Sequence, residues 1–274
     1  MLYYDLTSED KKKLGVEIEL TRKEFEEIEP IFREYAKQRT TKLLIQTNYP
    51  EYPYYMSGSA SYFFYRNKHF LLTCEHCVKD VAPIDRTSLV KALCNTDNGM
   101  TVARINSHRR DVEMDLAVFE LESDYCNSNN FVGHAFVVEK QIKKDYINYL
   151  ENQNNVILLC GSSSDESSGI DFDTGKGIIS NGVIITFYNN YNYEYDLLNI
   201  NISNIGFTIE GGYREINEVK GLSGSWIYCY QRGDRIPFKG IGMIVRGSRD
   251  SGNMWALGID KITSFIDSQY FNQP

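Results

Sequence analysis

A change of period near Thr41 limits the fold more than any other feature of this chain. Before it, residues 1–40 read as a charged, amphipathic helical extension. Thr21-Arg22-Lys23-Glu24 has the form of a capping box, and Phe25, Ile28, Phe32 and Tyr35 recur at helical spacing. Pro30 falls inside that pattern. It is expected to kink or end the helix, because it lacks an N–H and its ring crowds the preceding turn. After Thr41 the apolar residues gather into short runs of strand length. Lys42–Thr47, Ala60–Tyr65, His69–Thr73, Ser88–Cys94, Thr101–Ile105 and Leu116–Leu121 form a first series, with a hairpin turn at Arg66–Lys68. Tyr49–Tyr55 is an aromatic loop broken by proline.

A second series holds Val156–Cys160, Ile178–Phe187, Leu197–Ile205, Trp226–Tyr230, Gly240–Val245 and Met254–Ile259. Short strands at this spacing predict an all-β barrel or sandwich. Between the series, Glu139–Asn155 is polar with scattered apolar residues and reads as a linker, with a helix as one form open to it. Ser162–Gly175 reads as an exposed loop. Tyr188–Tyr195 reads as a hairpin tip, with aromatic stacking on a ligand as the other reading. Asp260–Asp267 closes the chain as a short amphipathic helix.

Charge and targeting narrow the function classes. A net charge of −8 over 274 residues speaks against nucleic acid or an anionic membrane as a default partner. Met1–Asp10 carries no basic stretch and no apolar stretch of a secretory leader, so a cytoplasmic protein with reduced thiols is expected. Cys74 and Cys77 form a C-x-x-C around His76, but no second C-x-x-C follows. Buried thiols are the expectation there, and zinc through Cys74, His76 and Cys77 is the competing one. No cofactor is called for.

Three residues carry the chemistry. In Gly221-Leu222-Ser223-Gly224-Ser225 a serine stands between glycines just before an apolar strand. Such a turn can present a nucleophile, although glycine and serine also make ordinary turns. His76 follows directly on the apolar run Phe70–Thr73, where an imidazole at a strand exit can serve as a general base or simply be a satisfied side chain. Asp115 precedes Leu116–Leu121, where an acid can orient an imidazole or merely punctuate the strand; Asp111 and Glu113 are weaker candidates.

Together these segments resemble the trypsin-like serine proteases of the chymotrypsin fold. Leu71–Val78 is similar to their L-T-A-x-H-C-V, Asp115–Val118 to their D-[IL]-A-[LV], and Gly221–Ser225 to their G-x-S-G-[GS]. The flavour is that of the bacterial branch with glutamyl endopeptidase-like and HtrA-like enzymes, over residues 41–265. The resemblance implies two antiparallel β-barrels, at 41–138 and 139–274, with the N-terminal extension and the C-terminal helix attached. It implies a serine endopeptidase acting on protein or peptide substrates, with a regulatory protein partner as one way to restrain it. Ser223 would be the nucleophile, His76 the base and then acid, and Asp115 its orienter. The N–H groups of Gly221 and Ser223 would form the oxyanion hole. Asn217, Val245, Arg246 and Gly247 would bind substrate. A catalytically silent or gated module that keeps the peptide cleft is the alternative. The chain departs from the family in three places. Leu222 replaces an aspartate, Trp226 replaces a proline, and the position expected to pair with Cys77 in a disulfide, counted as Ser61, is not cysteine.

Overall fold

The structure is a computed structural model, described for residues 22–51, 53–79, 89–96, 99–129, 136–137, 143–152, 156–161, 170–171, 176–177, 182–201, 206–209, 212–215, 219–231, 238–248 and 250–272. It is mostly β, with one half-barrel and one closed barrel of six strands.

The half-barrel comes first. Its strands are β1 (Thr40–Gln46), β2 (Tyr54–Tyr65), β3 (Lys68–Thr73), β4 (Val90–Thr96), β5 (Gly99–Val102), β6 (Ile105–Asp111) and β7 (Leu116–Leu121). They lie in the order β5-β4-β1-β2-β3-β7-β6, with β8 (Phe136–Val137) parallel to β2. At the β2–β3 hairpin, Arg66 and Asn67 both take positive φ, 46° and 62°, which matches the right-handed twist of the flanking strands.

The second half holds β9 (Val156–Gly161), the short pair β10 (Ile170–Asp171) and β11 (Lys176–Gly177), β12 (Gly182–Asn192), β13 (Leu197–Asn201), β14 (Gly206–Ile209), β15 (Gly212–Glu215), β16 (Trp226–Tyr230), β17 (Phe238–Ser248) and β18 (Asn253–Gly258). The path β13-β18-β17-β16-β9-β12 closes because β12 also pairs with β13; β14 and β15 extend from β12. Closure removes the free strand edges that an open sheet exposes. The polar linker contains a helix, Lys143–Asn152. Tyr188–Asn192 continues β12 rather than looping, and the hairpin tip narrows to residues 193–196.

The two ends of the chain cross over. The N-terminal helix α1 (Arg22–Lys37) leads into β1, yet Phe32 packs edge-on against Tyr228 and Phe238 of the closed barrel, each at 5.1 Å between ring centroids. Helix α1 also runs through Pro30, so of the two expected effects, a kink or an end, the helix does not end there. Pro30 is exposed, while Ile28, Phe32 and Ala36 are buried on the opposite face. Burying three apolar side chains, at about 1.5–3 kcal/mol for each large one, offsets the roughly 3 kcal/mol that an internal proline removes. In the other direction, the turn Asp267–Phe271 that follows the C-terminal helix Ile259–Ile266 reaches the half-barrel. Tyr270 donates to the Val118 carbonyl at 3.0 Å and packs on Phe70 at 5.2 Å. That cover helps bury β7 at every position, Glu120 included, whose carboxylate pairs with Lys68 at 2.6 Å.

Candidate active site

β3 ends at Thr73, and a single 3-10 turn, Glu75–Cys77, follows. It points Cys74 and Cys77 inward and leaves the His76 side chain 44% exposed. Asp115 sits at the end of the turn 112–115 between β6 and β7. Asp111 builds that turn, its Oδ1 accepting the Met114 N–H at 2.9 Å, whereas Glu113 is exposed. Asp115 itself takes φ 52°, a left-handed conformation that aspartate tolerates better than most residues. The result is a two-point grip on the histidine. Asp115 Oδ1 accepts the His76 backbone N–H at 2.9 Å, and Oδ2 meets His76 Nδ1 at 2.7 Å. The Asp115 carbonyl takes the Glu75 N–H at 3.2 Å, and Glu75 pairs with Arg110 at 3.2 Å.

The hydrogen bond that the His76 ring donates to Asp115, helped by one to Cys77, raises the His76 pKa above its ordinary value. Burial pushes the neighbouring Cys74 thiol up, so it stays protonated. The other described histidines lie elsewhere. His69 is buried on Phe64, and burial lowers it to about 4; His108 stacks on Phe119.

The Gly221–Ser225 loop is held by its backbone. Gly221 and Gly224 take φ of 92° and 89°, which only glycine adopts without strain. The N–H groups of Leu222, Gly224 and Ser225 bond to Val219, Ile244 and Leu222 carbonyls at 3.2, 2.9 and 2.9 Å. Those of Gly221 and Ser223 make no hydrogen bond among the described residues. Strand β2 of the half-barrel clamps the same loop. The Ser59 N–H donates to the Ser223 carbonyl at 2.8 Å, Ser59 Oγ to the Gly221 carbonyl at 2.7 Å, and Ser61 Oγ to the Gly224 carbonyl at 3.1 Å. A Cβ on Gly58 would stand 2.7 Å from Cys77 Sγ and 3.0 Å from the Ser223 carbonyl, so the histidine turn and the serine loop both abut this glycine.

Beyond Ile244, β17 continues while the chain of β16 turns away at Ser225. Val245 is buried there, and Arg246, Gly247 and Ser248 are exposed. Cys74 Sγ donates to the Ile244 carbonyl at 3.1 Å, tying the histidine turn to this strand. Asn217 lies outside the described residues.

Sequence reasoning missed the role of Ser57–Ser61. The signal was present in a strand built of small residues, Ser57-Gly58-Ser59-Ala60-Ser61, since glycine inside a strand often marks close backbone approach. It also misplaced the neighbour of Cys77. Ser61 faces Gly224, and it is Ser57 Oγ that bonds the Cys77 carbonyl. Among the described residues Cys74, Cys77, Cys126, Cys160 and Cys229 form no disulfide. Among the described residues no helix is long and apolar enough to cross a membrane. No protein-family model matches the sequence, and no curated protein matches it either.

Proposed function

We propose that this chain is a serine endopeptidase of the trypsin-like kind, working through an acyl-enzyme. The observation that carries the reading is the double contact of the Asp115 carboxylate with the His76 N–H and Nδ1. A carboxylate on Nδ1 fixes the imidazole tautomer that leaves Nε2 free to take a proton, and it stabilises the imidazolium that forms. In the proposed reaction Ser223 Oγ attacks a substrate carbonyl carbon as His76 takes its proton. The tetrahedral oxyanion rests on the N–H groups of Gly221 and Ser223. His76 then returns the proton to the leaving amine, and water cleaves the acyl-Ser223 ester by the reverse roles. Among the described residues these two N–H groups have no acceptor, which supports the oxyanion assignment, since donors already engaged could not serve it. An extended substrate would pair with β17 at Val245–Gly247, adding a strand.

The departures from the family pattern fit this reading. Leu222 is buried against Gly161, and Trp226 is fully buried beside Phe63 at 5.5 Å, with Gly240 leaving room for its indole. Both fill the core. An apolar residue at 222 cannot form an ion pair with a newly cut N-terminus, so activity is expected without such trimming.

A fluorophosphonate probe tests the proposal. The wild type should be labelled at Ser223, and Ser223→Ala should not. An unlabelled wild type, or labelling that survives Ser223→Ala, refutes it.

A further inference from the structure

The C-x-x-C around His76 has no part in the acyl-transfer scheme, yet its side chains converge. One donor atom from each of Cys74, His76 and Cys77 lies within 4.8 Å of the other two. Around one tetrahedral zinc, thiolate and imidazole donors stand about 3.5–3.8 Å apart, so closing the cluster takes roughly 1 Å of side-chain movement. Two sulfurs and a nitrogen are a soft donor set that favours zinc over magnesium or calcium. Both cysteines are buried beneath a histidine that faces solvent, which leaves an entry side and a place for water as a fourth ligand.

We propose that Cys74, His76 and Cys77 form an exchangeable zinc site that switches the histidine off. The consequence for catalysis rests on the acyl-transfer reading above; the binding does not. A neutral imidazole has one lone pair. If zinc takes Nε2, the nitrogen that would receive the Ser223 proton is occupied. If zinc takes Nδ1, the remaining proton moves to Nε2, which then cannot accept another. In either case the base is lost. Binding requires both sulfurs as thiolates and the imidazole neutral, so whatever protons these groups carry are released to solvent. It also breaks the Cys74 Sγ hydrogen bond to the Ile244 carbonyl, because a thiolate has no proton to donate. The metal therefore disarms the imidazole and loosens its tie to β17. In this role zinc is an inhibitor that competes with Asp115 and Ser223 for the same ring.

The test uses the full chain, stripped with a chelator and then given Zn²⁺ alone or Co²⁺ alone. The wild type should retain a single zinc through desalting and should show thiolate-to-cobalt charge-transfer absorption. Outer partners of zinc ligands are each worth about 10–100-fold in affinity, so Cys74→Ser/Cys77→Ser should weaken zinc binding by more than about 100-fold. Fluorophosphonate labelling should fall in proportion to zinc occupancy in the wild type and should not respond to zinc in the double variant. Failure of the wild type to hold zinc, cobalt bound without thiolate absorption, or equal zinc retention by the variant overturns the site. Full occupancy with undiminished labelling overturns the switch. Zinc bound as expected by a protein that is never labelled, even metal-free, upholds the site and refutes the protease reading. The cobalt spectrum is read on the wild type, so a variant that fails to fold leaves the outcome decided.

Discussion

The two halves hold their parts of the candidate site by different means. In the open half-barrel, His76 is set by a side chain: one carboxylate grips both its backbone and its ring. In the closed barrel, Ser223 is set by the main chain, through two left-handed glycines and a row of backbone hydrogen bonds. The difference teaches where each half is vulnerable. A change of functional group should disarm the first half without unfolding it. In the second half, the addition of one methyl group should suffice to disturb the fold.

The largest expected effect lies on the side-chain half. Asp115→Asn should lower kcat about ten thousandfold, the loss that a wrong imidazole tautomer brings in a Ser-His-Asp triad, with little change in melting temperature at a pH high enough to leave His76 neutral in both proteins. A comparable loss of stability instead would erase the contrast. Gly224→Ala is the counterpart on the main-chain half. Its new Cβ would stand 1.9 Å from the Ser59 carbonyl oxygen, at a φ of 89° that alanine resists. Urea unfolding should show destabilisation of more than about 3 kcal/mol, in the range reserved for backbone conflict and overpacking.

Packing effects come next. Phe32→Ala removes a fully buried ring from between α1 and the closed barrel and should lose about 3–5 kcal/mol. If that loss is under 1 kcal/mol, the extension is not part of the cooperative fold. Histidine titration separates the regions more finely. His69 binds a proton near 6.5 when unfolded and only at about 4 when folded, so stability should decline as pH falls from 6.5 to 4. His76 runs the other way, because its folded pKa is raised. Its stabilisation is present below 6.5 and is lost as pH climbs through the raised value. Urea midpoints against pH in His69→Gln and Asp115→Asn should each flatten one limb. Because the base must be neutral, the acid limb of kcat/KM should lie above 6.5 and move down in Asp115→Asn. Smallest of all, Tyr270→Phe deletes one hydrogen bond to Val118 and should lose about 1 kcal/mol by the same unfolding assay.

Much of this was legible from residues alone, and the exceptions have physical causes. The strands were readable because alternation and short apolar runs depend on local pattern. The contact of His76 with Asp115 was readable because each stands at the border of such a run. The continuation of α1 past Pro30 was not, since it depends on tertiary contacts made by Phe32 with strands some two hundred residues away. The Ser59 clamp escaped for a similar reason: serine in a strand carries no mark of which distant carbonyl it will meet. Asp111 was ranked among the possible orienters of His76, yet it closes the turn that presents Asp115. Acids four residues apart look alike in a sequence and are told apart only by the direction their backbones give them.

The crossing of the two ends has a consequence for how the protein comes apart. Helix α1 and the turn after the last helix are each fastened to the half they do not adjoin in sequence: Phe32 to the later one, Tyr270 to the earlier one. A cut in the connecting stretch would therefore not free two pieces, because each would still carry the other's clasp. Mechanical pulling applied at Arg22 and Phe271 would load those clasps before either set of strands, so the first event under force should be the release of a clasp and not the parting of the two halves.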